Sequence, residues 1–269
     1  MSIREFADKV LNQKQKQKIN AFRLISNGYF KQIKNPYGLK VENELLNKIL
    51  IGTHHKTGTV LLNSIFREIC LYHTLNFYIG KQRNLPAQYD VFFQDHSRFE
   101  FDSLKGFRGL HVIRDPRDVI VSGCFYHQKS DEKWLHIPRE ELYGLTYQEN
   151  INSFRDVEDQ ILFEMEHSSQ RTIRDMMSWD YNHPNFYEVK YEDLIEDYDL
   201  KLFHEVFSFL GFPGYVMPSL LTFAYNNSLF SGRLKKSGHI RSGKLNQWKR
   251  YFNQNHRYRF LELFDDVLI

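Results

Sequence analysis

The sequence predicts an α/β fold with a central parallel β-sheet flanked by helices. Four short apolar runs, rich in β-branched and aromatic residues, predict strands at 48–53, 89–95, 109–115 and 185–193. Segments with helical periodicity follow or separate these runs, at 58–72, 116–127, 154–178, 199–210 and 246–265. Short buried strands that alternate with helices are typical of parallel sheets. Because ligands bind beyond the carboxyl ends of such strands, the residues after each run are the candidates for a functional site.

The length of 269 residues suits one large domain with a short extension. Residues 1–45 predict a basic helical N-terminal extension, since residues 1–40 hold nine Lys/Arg against two Asp/Glu. Residues 46–269 then form the α/β domain. Within that domain the polar, helix-prone segment 128–184 is interpreted as a helical insertion of the lid type.

The basic N-terminal segment has two interpretations. Charge runs most often mark a solvated helix, and the alternative is weak contact with an anionic membrane surface. The segment has neither interleaved aromatic residues nor a recognised nucleic-acid motif, so nucleic acid is not an expected partner.

The composition indicates a cytoplasmic protein. Cys70 and Cys124 lie on apolar or helical stretches without metal-ligand spacing, and we expect reduced structural thiols. No apolar run approaches the length of a transmembrane helix, and the first twenty residues lack the apolar segment of a signal peptide. We find no clustered metal ligands and no Asp on a Walker-B-like strand, so no metal is expected.

The first predicted strand leads into a loop suited to a phosphate. Gly52 permits a sharp exit from the strand, and the helix that follows offers free backbone N–H groups near Gly58 and Thr59. Lys56 adds a positive charge at the mouth of this loop. A nucleotide-triphosphate loop would carry its lysine after the second glycine, whereas Lys56 precedes Gly58. The alternative is an ordinary helix start with a chance lysine.

The third predicted strand ends at Arg114. Asp115 is expected to cap the next helix, Pro116 to occupy its first position, and Asp118 to complete a start that resembles a capping box. Arg114 has no part in this capping and is therefore available to a ligand. Ser122, two turns along the helix, would place its hydroxyl beside the same anion. The alternative is a local ion pair between Arg114 and Asp118.

Two further candidates come from the ends of other segments. His96 follows the second predicted strand, where an imidazole would serve as a general base. Near the C-terminus, residues 241–244 form a short cationic loop ahead of Trp248, which would fold over a phosphate or remain a solvated turn. Aromatic side chains proposed to line an acceptor pocket, with plain core packing as the alternative, are Phe92, Phe93 and Tyr126.

Four segments, in this order, resemble the sulfotransferases that use 3′-phosphoadenosine-5′-phosphosulfate (PAPS). HHKTGTVLL is similar to their 5′-phosphosulfate loop, and RDPRDVIVS to their 3′-phosphate element. YEVKYEDL resembles their strand with a Tyr-Glu-Asp end, and RSGKLNQWKRYF their C-terminal Arg-Lys-Gly loop. The four segments span residues 49–252. The resemblance implies a P-loop-like nucleotide-binding architecture and in-line, metal-independent transfer of a sulfuryl group from PAPS to an acceptor hydroxyl or amine. The product nucleotide is then adenosine 3′,5′-bisphosphate (PAP).

The resemblance also implies roles for individual residues. Lys56 would stabilise the leaving group, His96 would deprotonate the acceptor, and Tyr191 would contact the adenine. The residues implied for the 5′-phosphate are Thr57, Gly58, Thr59 and Val60. Those implied for the 3′-phosphate are Arg114, Ser122, Arg241, Ser242 and Gly243. Ser242 replaces the usual lysine of the Arg-Lys-Gly loop, a charge that Lys244 would restore.

Several alternatives remain open at this point. Some branches of the family use a glutamate base, for which Glu164 is the reserve candidate. A P-loop nucleotide kinase would need a Mg²⁺ carboxylate and a lysine after the second glycine. A non-catalytic module that binds adenosine bisphosphate would keep the fold without the chemistry. The acceptor, a small molecule or a carbohydrate, is not determined by the sequence, and neither is the oligomeric state.

Overall fold

The computed structural model describes residues 12–32, 45–232 and 243–264, whose contacts define two compact units. The first unit comprises residues 12–32, 45–52, 60–111 and 183–232. The second comprises residues 53–59, 112–182 and 243–264.

The strands and helices follow one another along the chain in alternation. The strands are β1 Lys48–Gly52, β2 Phe77–Ile79, β3 Val91–Gln94, β4 Phe107–Ile113 and β5 Phe186–Lys190. The helices up to residue 177 are α1 Gln13–Gln32, α2 Thr59–His73, α3 Pro116–His127, α4 Tyr147–Ser153, α5 Val157–Glu166 and α6 Ser168–Met177. The later helices are α7 Tyr191–Glu196, α8 Lys201–Phe209, α9 Met217–Asn227, α10 Trp248–Tyr251 and α11 Gln254–Leu263.

The five strands form one parallel sheet in the order β2-β3-β1-β4-β5, which confirms the predicted α/β class. Ile51 of β1 lies opposite Phe93 of β3 on one side and Leu110 of β4 on the other. The chain passes from β1 to the edge strand β2, returns to β3, and then adds β4 on the other side of β1. The strand order therefore reverses at β1, and the carboxyl ends of β1 and β4 define the position at which such sheets bind ligands.

Strands β1 and β3 are buried because they are almost wholly apolar. The side chains of Ile49, Leu50 and Ile51 in β1 have no solvent exposure. At the end of β1, a Cβ on Gly52 would lie 2.8 Å from the Ser97 hydroxyl, so only glycine fits there. Helix α2 buries an apolar stripe that includes Leu62.

The second unit has a hydrophobic core of its own, built around α3. Helix α3 packs on α4, α5, α6 and α10, and α11 packs on α5. The core is formed by fully buried residues of these helices and of the connections between them, among them Val119, Ile120, Ile161, Ile173 and Phe260. The core fixes where α3 begins and ends, and so where its polar residues lie.

Several helices and one strand depart from the predicted limits. The predicted helix 154–178 is divided into α5 and α6 at His167, where ψ is −98°. The predicted helix 246–265 is divided into α10 and α11, because the Asn253 side chain caps α11. Strand β5 ends at Lys190, and Tyr191 begins α7. Among the described elements, periodicity did not predict β2, α4, α7 and α9.

The predicted domain boundaries stay predictions. Helix α1 lies within the basic N-terminal segment, and the segment 128–184 carries helices α4, α5 and α6. A lid function for that segment is likewise a prediction. None of the helices in the described ranges is long and apolar enough to cross a membrane. Cys70 and Cys124 are buried free thiols, and burial raises the pKa of Cys70 to about 12.

Candidate active site

The loop between β1 and α2, residues 53–59, is held closed by hydrogen bonds to the backbone of His54. The amide N–H of Thr57 and the hydroxyl of Thr59 donate to the His54 carbonyl, at 3.1 and 3.0 Å. The Thr57 hydroxyl accepts from the His54 amide at 2.8 Å. Both threonine hydroxyls are therefore engaged in shaping the loop. Any anion bound by these residues would meet backbone N–H groups at the start of α2.

Lys56 lies at the turn of this loop in a left-handed backbone conformation, with φ of 65°. Its ammonium nitrogen is 3.7 Å from the centre of the Tyr126 ring, a cation–π contact. Burial first, and the charge of Arg114 second, lower the pKa of Lys56 to about 8. Glu132 and Glu164 oppose this lowering through their negative charge.

Arg114 reaches the same loop from the end of β4. One of its guanidinium nitrogens donates to the carbonyl of Lys56 at 3.0 Å, and another lies 3.5 Å from the Asp118 carboxylate. The local ion pair with Asp118 is thus present, together with the contact to the loop. Both Arg114 and Asp118 are buried. The structure therefore brings two cationic side chains, Lys56 and Arg114, to one loop.

The start of α3 differs in one respect from the predicted capping box. Asp115 caps the helix as expected, since its carboxylate accepts from the Arg117 amide at 2.9 Å. Asp118 does not return to the Asp115 amide but accepts from the backbone N–H of Trp248 at 3.0 Å. The guanidinium of Arg117 also lies 3.7 Å from the centre of the Trp248 ring. These contacts join the predicted 3′-phosphate element to the residues after the C-terminal loop.

A buried series of hydrogen-bonded side chains leads to His55 of this loop. The Nε2 atoms of His55 and His127 are 3.0 Å apart, and His127 Nδ1 is 2.7 Å from the Glu164 carboxylate. Tyr147 and Ser169 also donate to that carboxylate, at 2.8 and 2.6 Å. Glu164 has no solvent exposure and is occupied by three donors. It is therefore placed to support His127 rather than to contact an acceptor directly.

The arrangement is suited to a bound anion. Among the described residues, no carboxylate lies within ion-pair distance of Lys56, although the ammonium group is largely desolvated. A buried charge without a partner is costly, and an anionic ligand would remove that cost. The described residues contain no group of three or more His, Cys, Asp or Glu side chains arranged to hold a metal ion.

Comparison with known proteins identifies the family. The family model described as "Sulfotransferase domain" matches residues 103–268, more than half of the chain. The chain belongs to the sulfotransferase family. This confirms the resemblance and makes the protein a sulfotransferase.

The solved structure of a mouse sulfotransferase supports the same fold. Mouse sulfotransferase SULT7A1, crystallised with PAP, matches with a TM-score of 0.53 at 16% identity, over 82% of this chain and 83% of that chain. Retinol dehydratase, crystallised with androsterone and PAP, matches with a TM-score of 0.48 at 14% identity, over 82% of each chain. A search of curated protein sequences gave no match.

The remaining sulfotransferase candidates of the second unit are Ser122 and the C-terminal loop. Ser122 is half-buried on α3. Gly243 is exposed and adopts φ of 60°, a left-handed conformation that favours glycine. Arg241 and Ser242 lie outside the described residues. Their assignments to the 3′-phosphate stay predictions.

The other candidates belong to the first unit. Val60 is the second residue of α2 and is half exposed. His96 is exposed after β3, and its backbone N–H donates to the Gln94 side chain at 3.0 Å. Tyr191 is half-buried at the start of α7. Phe92 and Phe93 are fully buried in β3, so any contact with an acceptor would come from side chains that also form the core. The functional roles of these residues stay predictions.

Sequence reasoning missed the contacts that His127 makes with His55 and with Glu164. His127 is the last residue of α3, 72 residues from His55 and 37 from Glu164. No spacing rule connects such distant positions. The sequence offered one indication, because Glu164 was the alternative candidate for the catalytic base. Glu164 is the residue at the buried end of this series of hydrogen bonds.

Proposed function

We propose that this sulfotransferase transfers a sulfuryl group from PAPS to the hydroxyl, or amine, of an acceptor and releases PAP. The single observation that carries the proposal is Lys56. This half-buried residue places its ammonium group over the Tyr126 ring, with no carboxylate within ion-pair distance among the described residues, and Arg114 donates to its backbone carbonyl. SULT7A1, which shares the fold, was crystallised with PAP, and this supports the choice of donor.

The donor supplies the sulfuryl group on a phosphate leaving group. Lys56 would neutralise charge that develops on the bridging oxygen when the bond from sulfur to that oxygen breaks. Backbone N–H groups of Gly58, Thr59 and Val60, together with Thr57, would hold the 5′-phosphate. His96 would take the proton that the acceptor hydroxyl loses as its oxygen bonds to sulfur.

The 3′-phosphate would be bound by Arg114 and Ser122 together with the loop of Arg241, Ser242 and Gly243. Asp118 supports this assignment because it contacts both Arg114 and the backbone of Trp248, just after that loop. Tyr191 would contact the adenine.

The acceptor class and the location are proposals as well. We infer a small-molecule acceptor, with a carbohydrate hydroxyl as the alternative, and Tyr126, Phe92 and Phe93 as residues near it. The contact of Tyr126 with Lys56 supports an acceptor beside this ring. We propose a cytoplasmic location, no nucleic-acid partner, and at most weak membrane contact through the basic N-terminal segment.

The test is a transfer assay with sulfur-labelled PAPS and a panel of phenols, sterols, alcohols, amines and oligosaccharides, without added metal. We expect a mass gain of one sulfate on at least one acceptor class and formation of PAP. Calorimetry in parallel compares PAP with ATP and Mg²⁺. Preference for ATP with Mg²⁺ would contradict the proposal, and tight PAP binding without transfer to any acceptor would favour the non-catalytic module.

A further inference from the structure

We propose that His127 and Glu164 are positioning residues for sulfuryl transfer. They hold His55, and with it the backbone of the loop that carries Lys56, in the shape in which the lysine reaches the donor. This inference rests on the proposed function and extends it to residues that contact neither the donor nor the acceptor. Its basis is the buried chain of hydrogen bonds that runs from Glu164 through His127 to His55.

The first step is the orientation of His127. A carboxylate at Glu164 only accepts hydrogen bonds, so His127 Nδ1 carries the proton that they share at 2.7 Å. The other ring nitrogen of His127 is then an acceptor, and His55 Nε2 donates to it at 3.0 Å. Glu164 therefore selects the tautomer of His127 that can hold His55.

The second step is the rigidity of Glu164. Its carboxylate accepts from Tyr147 and Ser169 in addition to His127. Burial raises the pKa of Tyr147 well above its ordinary value, and the charge of Glu164 raises it further, so the phenol stays a donor. Gly123 of α3 makes room for the carboxylate, because a Cβ there would lie 2.6 Å from Glu164 Oε1. Three helices of the second unit, α3, α4 and α6, thus fix one carboxylate on α5.

The third step is the connection to Lys56. The rings of His55 and Tyr126 are 5.7 Å apart between centres, and the Lys56 ammonium is 3.7 Å from the same Tyr126 ring. Lys56 holds a left-handed conformation that costs a non-glycine residue free energy and persists only where surrounding contacts impose it. Arg114 donates a hydrogen bond to the Lys56 carbonyl, and His127 accepts one from His55, the residue before Lys56. The loop is therefore held on both sides of this conformation.

Two substitutions of His127 test the contacts of its two ring nitrogens separately. The His127→Asn amide can replace Nδ1 and keep Glu164, but it is too short to reach His55. The His127→Gln amide can replace Nε2 and keep His55, at the expense of Glu164. The matched control is His73→Asn, which is likewise too short to replace Nε2 and so removes the hydrogen bond of a buried imidazole to Ser219, at 2.9 Å. His73 ends α2, roughly 20 Å along the helix from the loop.

We expect His127→Asn to lower kcat by about 10- to 100-fold, since misplacement of a reacting group by about 1 Å has effects of this size. PAP affinity, measured by calorimetry, should change less than kcat. His127→Gln should retain more activity than His127→Asn. The double variant of His55→Ala and His127→Asn should lose no more than the larger single loss, because both remove one contact. The control should lose stability without this loss of kcat.

Glu164→Gln provides a second measurement, the pKa of Lys56, which a general loss of core stability would not change. The negative charge of Glu164 opposes the lowering of the Lys56 pKa, as does that of Glu132, while Arg114 promotes it. The imidazoles of His55 and His127 and the phenols of Tyr126 and Tyr147 also face this group, and both phenols remain protonated in the same range. The pKa of Lys56 in Glu164→Gln should therefore fall below that of the wild type. Amine labelling of the loop peptide against pH, read by mass spectrometry, measures it without turnover.

The results distinguish the two proposals. Transfer by the wild type, with kcat unchanged in His127→Asn and an unshifted Lys56 titration in Glu164→Gln, would overturn the positioning role alone. Equal losses of kcat, PAP affinity and stability in His127→Asn and His73→Asn would overturn it too. If the wild type transfers no sulfate but the Lys56 titration shifts in Glu164→Gln, the proposed function fails while the structural link from Glu164 to the loop stands.

Discussion

Lys56 combines two properties that rarely occur together on one residue. Its backbone is in the left-handed region, and its side chain is desolvated over the Tyr126 ring rather than extended into solvent. The same burial that lowers its pKa to about 8 would strengthen its interaction with an anion. The protonation state of this one group should therefore govern the reaction above neutral pH.

We expect kcat/KM for PAPS to fall as the pH rises through about 8, because the free enzyme loses the Lys56 charge there. The sign follows from a lowered lysine pKa: the ammonium form is present below it and is lost above it. kcat should hold to higher pH, since a bound anion favours the charged lysine. Lys56→Ala should lower kcat by about 10²- to 10³-fold at neutral pH, where the wild-type lysine is charged, and by less at high pH.

Lys56→Arg is the control for this prediction. Arginine keeps its charge throughout the accessible range, so the variant should lose activity through altered geometry but should show no decline near pH 8. A decline at the same pH in Lys56→Arg would assign the titration to a different group.

Helix α3 is the element on which most of the second unit's polar contacts converge. Its first turn carries Asp118, which contacts Arg114 and the backbone of Trp248, and its last residue, His127, contacts Glu164 and His55. The apolar face between them is fixed by the core of this unit. One helix thus sets the positions of both the predicted phosphate-binding arginine and the loop lysine.

Asp118→Asn should destabilise the protein by about 3–5 kcal/mol, because it removes the buried carboxylate that lies 3.5 Å from the buried Arg114 guanidinium. The Asn oxygen can still accept from Trp248, so the loss isolates the ion pair. Urea unfolding followed by circular dichroism measures the free energy of unfolding.

The matched variant on the same helix is Asp115→Asn. Asparagine caps helices as well as aspartate does, and the Asp115–Arg117 pair is only partly buried. We expect a loss of roughly 1 kcal/mol or less. Similar losses of unfolding free energy in the two variants would show that the Asp118–Arg114 pair stabilises the protein no more than the partly buried Asp115–Arg117 pair does.

At the scale of the whole molecule, donor binding should appear as thermal stability. A ligand that binds only the folded state at about 100 times its Kd adds roughly 2.7 kcal/mol. For a chain of this length that corresponds to a rise in Tm of roughly 5 to 10 °C. We expect this rise with PAP, measured by scanning calorimetry.

ATP with Mg²⁺ is the comparison ligand in the same calorimetric experiment, because the family assignment favours a nucleotide with a 3′-phosphate. It should produce a smaller rise in Tm than PAP does at equal concentration. A larger rise with ATP and Mg²⁺ would contradict the donor assignment.

The sequence by itself determined the fold class and the positions of four of the five strands along the chain. It also determined the loop that carries Lys56 and the helix that Asp115 caps. These features depend on hydrophobic periodicity and capping, which act between residues close in the chain. The breaks at His167 and before Asn253 were missed because a pattern of apolar residues continues across them.

Only the tertiary structure decided what the polar residues do. In the folded protein the Asp118 carboxylate accepts from the Trp248 backbone instead of capping its own helix. The Tyr126 ring contacts the Lys56 ammonium, and Glu164 is buried against His127. The physical reason is that burial and hydrogen-bond partners belong to the packed molecule. His55 and His127 meet across 72 residues because the core of one unit fixes α3, and no local pattern in the chain encodes that meeting.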